Sequence, residues 1–283
     1  MKKILRYAFF AVVGVFALIG MLFSGVYVAM QFGLLNVRGS IKERNQFFSF
    51  PTASSASTTP TCNDPSVREC SWSQTPEWAV IKTGLQKDEP VIHDVSLKTG
   101  VPERMIVAVV VPEQIRFFTS EREIFKSYFE PLKILGSLSQ FSLGVSGIKQ
   151  ETANKIEEYA ASTTSPFFPG RDAAGLIAYD VGANHDAELY ARLTDPKDHY
   201  YSYLYTALFI KEIEAQWATQ GFDASANPGI IVTLFNIGFQ ASHPNGAPGV
   251  GGAAITTGGN TYTYGELGVN FYNSNELTDL FPR

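Results

Sequence analysis

Glu113 is the carboxylate in this sequence whose surroundings suit acid chemistry. It closes the run Ile106-Val107-Ala108-Val109-Val110-Val111-Pro112-Glu113 and is followed by Gln114, Ile115, Arg116, Phe117 and Phe118. A carboxyl at the end of a buried helix, walled by valine and phenylalanine, loses hydration when ionised. That favours the protonated form which a glycosidic general acid needs near neutral pH. The plainer reading is a solvated carboxylate, or one paired with Arg116. Glu121, Glu123 and Glu151 stand nearby in the chain, but none has the context of a second acid. Tyr262, Tyr264, Glu266, Tyr272 and Glu276 make an aromatic and acidic tail, from which Tyr264 and Glu266 are candidates to line a glycan groove. Packing at the domain's core or rim is the alternative for these tyrosines. His93, His185, His199 and His243 lack ligand spacing, so no metal is expected, and no organic cofactor is implied.

Three stretches carry a resemblance. They are Glu113-Gln114-Ile115-Arg116-Phe117, then Ser146-Gly147-Ile148-Lys149-Gln150-Glu151-Thr152-Ala153, then Phe235-Asn236-Ile237-Gly238. Their order and spacing resemble the lytic transglycosylases of the lysozyme superfamily, the Slt and goose-lysozyme type. In that family a Glu-Ser-x-Phe pattern precedes Gly-Leu-Met-Gln with Thr-Ala, and a Tyr-Asn-Ala-Gly motif follows a long helix. The likeness runs roughly from Ser96 to Phe239, about half the chain. It implies a lysozyme-like helical fold and a single catalytic glutamate, Glu113. That residue would protonate the oxygen between N-acetylmuramic acid and N-acetylglucosamine, then act as base while the muramyl 6-hydroxyl closes a 1,6-anhydro ring. Gly147, Gln150, Phe235 and Asn236 become the implied substrate contacts, the glycine by letting backbone approach a sugar and the amides by hydrogen bonding. Plain helix capping is the other reading of Gln150 and Asn236. The sequence departs from the family at Gln114 for serine, Phe235 for tyrosine and Lys149 for an apolar residue. Pro112 directly before the acid is expected to kink the helix end, and the stretch from Thr119 to Phe141 is longer than the pattern. These departures keep open a non-catalytic protein that binds or scaffolds peptidoglycan.

The elements that must position these residues read as mainly helical. Helical patterns cover Val101 to Val111, Glu151 to Ala161, Asp195-Pro196 through Trp217, and Asn227-Pro228 through Phe235. Ile124, Phe125, Tyr128 and Phe129 have helical spacing too. The Gly-, Ala- and Pro-rich tail from Gly246 to Gly259 reads as a long loop. Tyr262 to Tyr264 alternates as a short strand would, so a small β element is expected beside the helices.

The first part of the chain bears on the compartment. No charge interrupts the sequence between Arg6 and Arg38, and that run exceeds the roughly 20 apolar residues that cross a bilayer. Its length, and the lack of an Ala-x-Ala pattern after it, favour an uncleaved anchor over residues 1–37. Lys2, Lys3 and Arg6 before it and Arg38, Lys42 and Arg44 after it barely choose a side. Cys62 and Cys70 close a short loop able to form a disulfide, which would place the domain outside the cytoplasm; two unpaired thiols are the alternative. Residues 38–76 form a Ser/Thr/Pro linker with this loop, and residues 77–283 the catalytic domain. A net charge of −5 with no lysine and arginine stripe argues against nucleic acid. The expected partners are peptidoglycan glycan strands, the membrane through the N-terminal helix, and an envelope protein complex.

Overall fold

The computed structural model describes residues 68–119, 142–240 and 242–283, with Gly14, Gly20, Met21 and Ser24 near the N-terminus. The expected anchor, apart from those four helical positions, lies outside the described residues. So do residues 38–67 of the linker with Cys62, and residues 120–141. Among the described residues the chain is mainly α-helical, with two short hairpins. No described helix is long and apolar enough to cross a membrane.

The ordered body takes in a 3-10 helix at Arg68–Gln74 as well as the expected domain. Helix α1 (Pro76–Thr99) starts on Thr75, whose Oγ1 accepts from the Trp78 amide at 3.2 Å. Pro76 takes a first-turn position, where an amide hydrogen is not needed. Gly100, at φ 72°, ends the helix by returning its N–H to the Ser96 carbonyl.

Helix α2 (Glu103–Thr119) follows at once and is buried at every residue from Arg104 to Glu113, as befits a helix inside a domain. It does not stop at Pro112. An interior proline costs about 3 kcal/mol, but burying Val109, Val110, Val111 and Ile115 returns about 1.5–3 kcal/mol for each side chain. Glu113 therefore sits inside a continuous helix rather than at its end.

A minimal hairpin comes next, β1 (Ser142–Leu143) with β2 (Ile148–Lys149), paired Ser142 to Lys149. It runs directly into α3 (Gln150–Ala161). Two shorter helices, α4 (Ala173–Leu176) and α5 (His185–Thr194), lead to α6 (Tyr200–Thr219), which is apolar around most of its circumference. The sequence pattern opens α6 at Asp195. Instead the Asp195 carboxylate accepts from the Lys197 and Asp198 amides, at 2.8 and 3.2 Å, and holds a turn before the helix.

Helix α7 (Pro228–Ile237) and helix α8 (Tyr264–Asn273) cross α2 closely. A β-carbon on Gly268 would stand 2.8 Å from the Ala108 carbonyl oxygen, so this crossing requires glycine. Between α7 and α8 runs a second hairpin, β3 (Ala254–Thr257) with β4 (Asn260–Thr263). The glycine-rich tail thus ends in a strand rather than continuing as loop. Trp72 packs edge-on against Trp78 at 4.9 Å, and both meet Phe271.

Arg104 locks the C-terminus to this core. Fully buried, it donates to the carbonyls of Phe271, Tyr272, Ser274, Glu276 and Phe281, at 2.6–3.1 Å. Burial without a carboxylate partner lowers its pKa to about 10.

Candidate functional site

The cavity at Glu113 lies where α2, the first hairpin, α3, α6, α7 and the start of α8 meet, and has a volume of about 110 Å³. A water needs only about 10–15 Å³ measured in that way, so there is room for ligand atoms. Glu113, Gly147, Phe235, Asn236 and Tyr264 all line it, although they come from four separate parts of the chain. Gln150 and Glu266 are not among its lining residues.

The turn at residues 144–147 is held from two sides. Gln114, next to the acid on α2, donates its side-chain amide to the Val145 carbonyl. From α6, Ser202 Oγ accepts from the Val145 amide at 3.1 Å, and its carbonyl accepts from Ser146 Oγ at 3.2 Å. Gly147 emerges from this clamp at φ 65°, with its α-carbon pressed toward Glu113. A left-handed residue packed that closely has to be glycine.

Glu113 is only 6% exposed, and its environment is not purely apolar. Arg116, one turn on, donates Nη2 to both carboxylate oxygens at 2.7 and 2.5 Å. The pairing left open as the plainer reading is therefore present. Arg116 is itself largely covered; burial works against its cation, but the Glu113 charge outweighs this and raises its pKa. Its guanidinium lies 5.7 Å from the Tyr264 ring centroid. Tyr264 is fully buried, with its hydroxyl donating to the Val109 carbonyl at 3.1 Å, so it contributes the face of its ring rather than its OH.

Asn236 uses its side-chain oxygen to accept from the Ala253 amide at 2.9 Å. That bond fixes which way the amide points and leaves Nδ2 as the donor for a ligand. Gly238, at φ 87°, ends α7 beside it. Phe235 stacks edge-on against Phe209 at 4.9 Å, and both rings form a wall of the cavity.

Two sequence candidates do not line the cavity. Glu266 accepts from the Thr263 amide at 2.7 Å while Thr263 Oγ1 accepts from the Glu266 amide, a complete capping box on α8. Gln150 is the first residue of α3 and half-buried. Cys70 is buried and disulfide-bonded.

Several lining residues are not evident from the sequence alone. Phe209 lies on a helix buried almost all round, so no amphipathic stripe singles it out. Thr152 and Lys155, next to Glu151 and one turn on from it along α3, line the same mouth, where Lys155 approaches Glu151 at 3.6 Å. Among the described residues, no group of three or more His, Cys, Asp or Glu side chains could hold a metal. The arrangement can transfer a proton at Glu113, hydrogen-bond a ligand through Asn236, and place a flat ring against Phe235 and Phe209. No family model, curated protein or solved structure matches the chain.

Proposed function

We propose that this protein is a peptidoglycan lytic transglycosylase with a lysozyme-like helical domain and Glu113 as its single acid and base. The observation that carries this reading is convergence. The Glu113 segment, the Gly147 turn and the Phe235-Asn236 helix end are the three stretches that resemble the family, and all three line one cavity. In the reaction, Glu113 protonates the glycosidic oxygen between N-acetylmuramic acid and N-acetylglucosamine as that C–O bond breaks. The resulting carboxylate then accepts the proton of the muramyl 6-hydroxyl while O6 bonds to C1. No water is consumed: Glu113 gives one proton to the leaving oxygen and regains another from O6. Glu151 is the other carboxylate lining the cavity. It is exposed and approached by Lys155, a poor setting for the nucleophile or base that a two-carboxylate hydrolase requires.

An N-terminal span over residues 1–37 with a tether behind it would let such an enzyme reach the wall from the outer face of the cytoplasmic membrane. Glycan strands are then its substrate, and an envelope protein complex its setting. A second reading, a glycan-binding or scaffolding protein that cuts nothing, is favoured by one observation. Arg116 holds both oxygens of Glu113, and an acid in that state has no proton to give.

The test is a digest of purified peptidoglycan by the full chain in mild detergent, beside its Glu113→Gln variant, with products read by mass spectrometry. Glu113-dependent 1,6-anhydro products are expected. Reducing ends in their place would make the protein a hydrolase, and intact glycan with retained binding would leave the scaffold reading.

A further inference from the structure

Resting on the glycan reading, we infer that Arg116 is a carboxylate-exchange gate: an acid group on the incoming sugar chain takes Arg116 from Glu113, so the site selects acidic glycans over neutral ones. Arg116 and Glu113 are three residues apart on one helix, and both line the cavity. Exchange therefore needs a new rotamer for Arg116 and no movement of backbone. In the resting pair the two side chains are 13% and 8% exposed. At that burial, taking the guanidinium away and offering nothing in its place leaves an uncompensated charge. A neutral sugar cannot supply the replacement. A substrate carboxylate can, because it presents the same planar acceptor to the same donor.

The rest of the mouth favours an anion. Arg116, Lys149 and Lys155 line it, against Glu113 and Glu151, three cations to two carboxylates. The Tyr264 ring lies 5.7 Å from the guanidinium and gives the cation a surface to pack on in the resting pair. Once a second carboxylate shares Arg116, two like charges compete for one cation. A proton taken up by Glu113 relieves that repulsion, which is also the state from which an acid can act. The gate thus couples recognition of an acidic group to arming of the acid. A muramic-type sugar whose lactyl carboxyl is free, as on strands without stem peptides, has the required chemistry; an N-acetylglucosamine polymer, or a muramyl unit whose carboxyl is amide-linked to peptide, does not.

Binding of N-acetylmuramic acid, its neutral methyl ester and N-acetylglucosamine to the full chain in detergent, measured by titration calorimetry, tests this directly. The free acid should bind at least about tenfold tighter than the ester. Arg116→Gln should erase that preference. Glu113→Gln should enlarge it, because Arg116 then has no charged internal rival, and a merely structural arginine would not produce that gain. Equal binding of acid and ester, or a preference that survives Arg116→Gln, overturns the gate. Should Arg116→Gln fail to fold, the parent and Glu113→Gln comparisons still decide. The outcome is separable from the reading beneath it. Cleavage without carboxylate preference removes the gate alone, whereas preference without cleavage removes the enzyme and keeps the gate as a recognition device.

Discussion

A β-carbon added to Gly147 would stand 2.7 Å from Cδ of Glu113, so the backbone of the turn is pressed directly onto the carboxylate. The turn cannot retreat, because Gln114 and Ser202 hold it from opposite sides. Gly147→Ala should therefore displace the Glu113 side chain, the softer of the two. The left-handed backbone adds about 1–2 kcal/mol of strain, a loss of a few degrees in melting temperature. Misplacing a catalytic group by about 1 Å can cost roughly 100-fold. On the proposed transglycosylase reading, a variant that is folded by circular dichroism should lose at least that much muropeptide release; full release from a folded variant would refute the contact's importance.

Arg104 is expected to be among the most sensitive positions for stability. Arg104→Met removes the donor from five C-terminal carbonyls at once. The Phe271 and Ser274 carbonyls keep other donors, Ser274 and Arg283, but those of Tyr272, Glu276 and Phe281 lose the arginine, which should cost about 4 kcal/mol or more. Lysine should not rescue, since a point charge with three donors cannot reproduce the fork. Urea unfolding gives the magnitude, and hydrogen exchange should show residues 264–283 loosening first. Near-parental stability would mean that the tail is held by its aromatic packing instead.

What could be read from the sequence followed from local chemistry. The apolar run before Glu113, proline at the start of α7 and the alternation at Tyr262 each have a short-range cause. Thr263 and Glu266 sit three apart, the spacing of a capping box, and that local role takes the glutamate out of the groove. Other features have only long-range causes. Whether Pro112 ends a helix depends on how much surface its neighbours bury, which no window of sequence states. Ser202 and Phe209 lie on a helix that is apolar nearly all round, so which face meets the turn and which the cavity is decided by packing. Glu212 stands among Lys211, Ile213 and Glu214, and nothing in that local pattern marks its side chain as the fully buried one it is.

The Asp88–His199 pair joins α1 to the start of α6. His199 Nδ1 meets Asp88 Oδ2 at 2.6 Å, and the Tyr203 hydroxyl donates to the same oxygen at 2.9 Å. The hydrogen bond that His199 donates to Asp88 raises the His199 pKa above 6.5. Burial acts to raise Asp88, but the bonds from His199 and Tyr203 outweigh it and hold its pKa below 3.8. The histidine's contribution is complete below 6.5 and fades as pH rises through its higher folded value; the aspartate's is complete above 3.8 and fades as pH falls through its lower one. Asp88→Asn should therefore cost most between those limits, about 2 kcal/mol, and less on either side. Urea unfolding across a pH series checks this, and a cost that does not vary with pH would show that the bond is held without charge.

Glu212 makes the opposite kind of contribution. Both its carboxyl oxygens are buried without a hydrogen-bond partner, and desolvation raises its pKa from 4.5 to about 9. Between those values the folded protein keeps the proton and the unfolded chain has lost it. Stability must then fall as pH rises across that interval, by about 1.4 kcal/mol per pH unit. Glu212→Gln keeps the shape and removes the titration. Relative to the parent, the variant should gain on the order of 3 kcal/mol between about pH 6 and about pH 8. His199 gives a weaker slope of the same sign in both proteins, so the comparison cancels it. Chemical unfolding of the two at matched pH values isolates Glu212. Parallel stability curves would mean that its carboxyl is solvated or paired in the folded state, and that the core around α6 admits a charge.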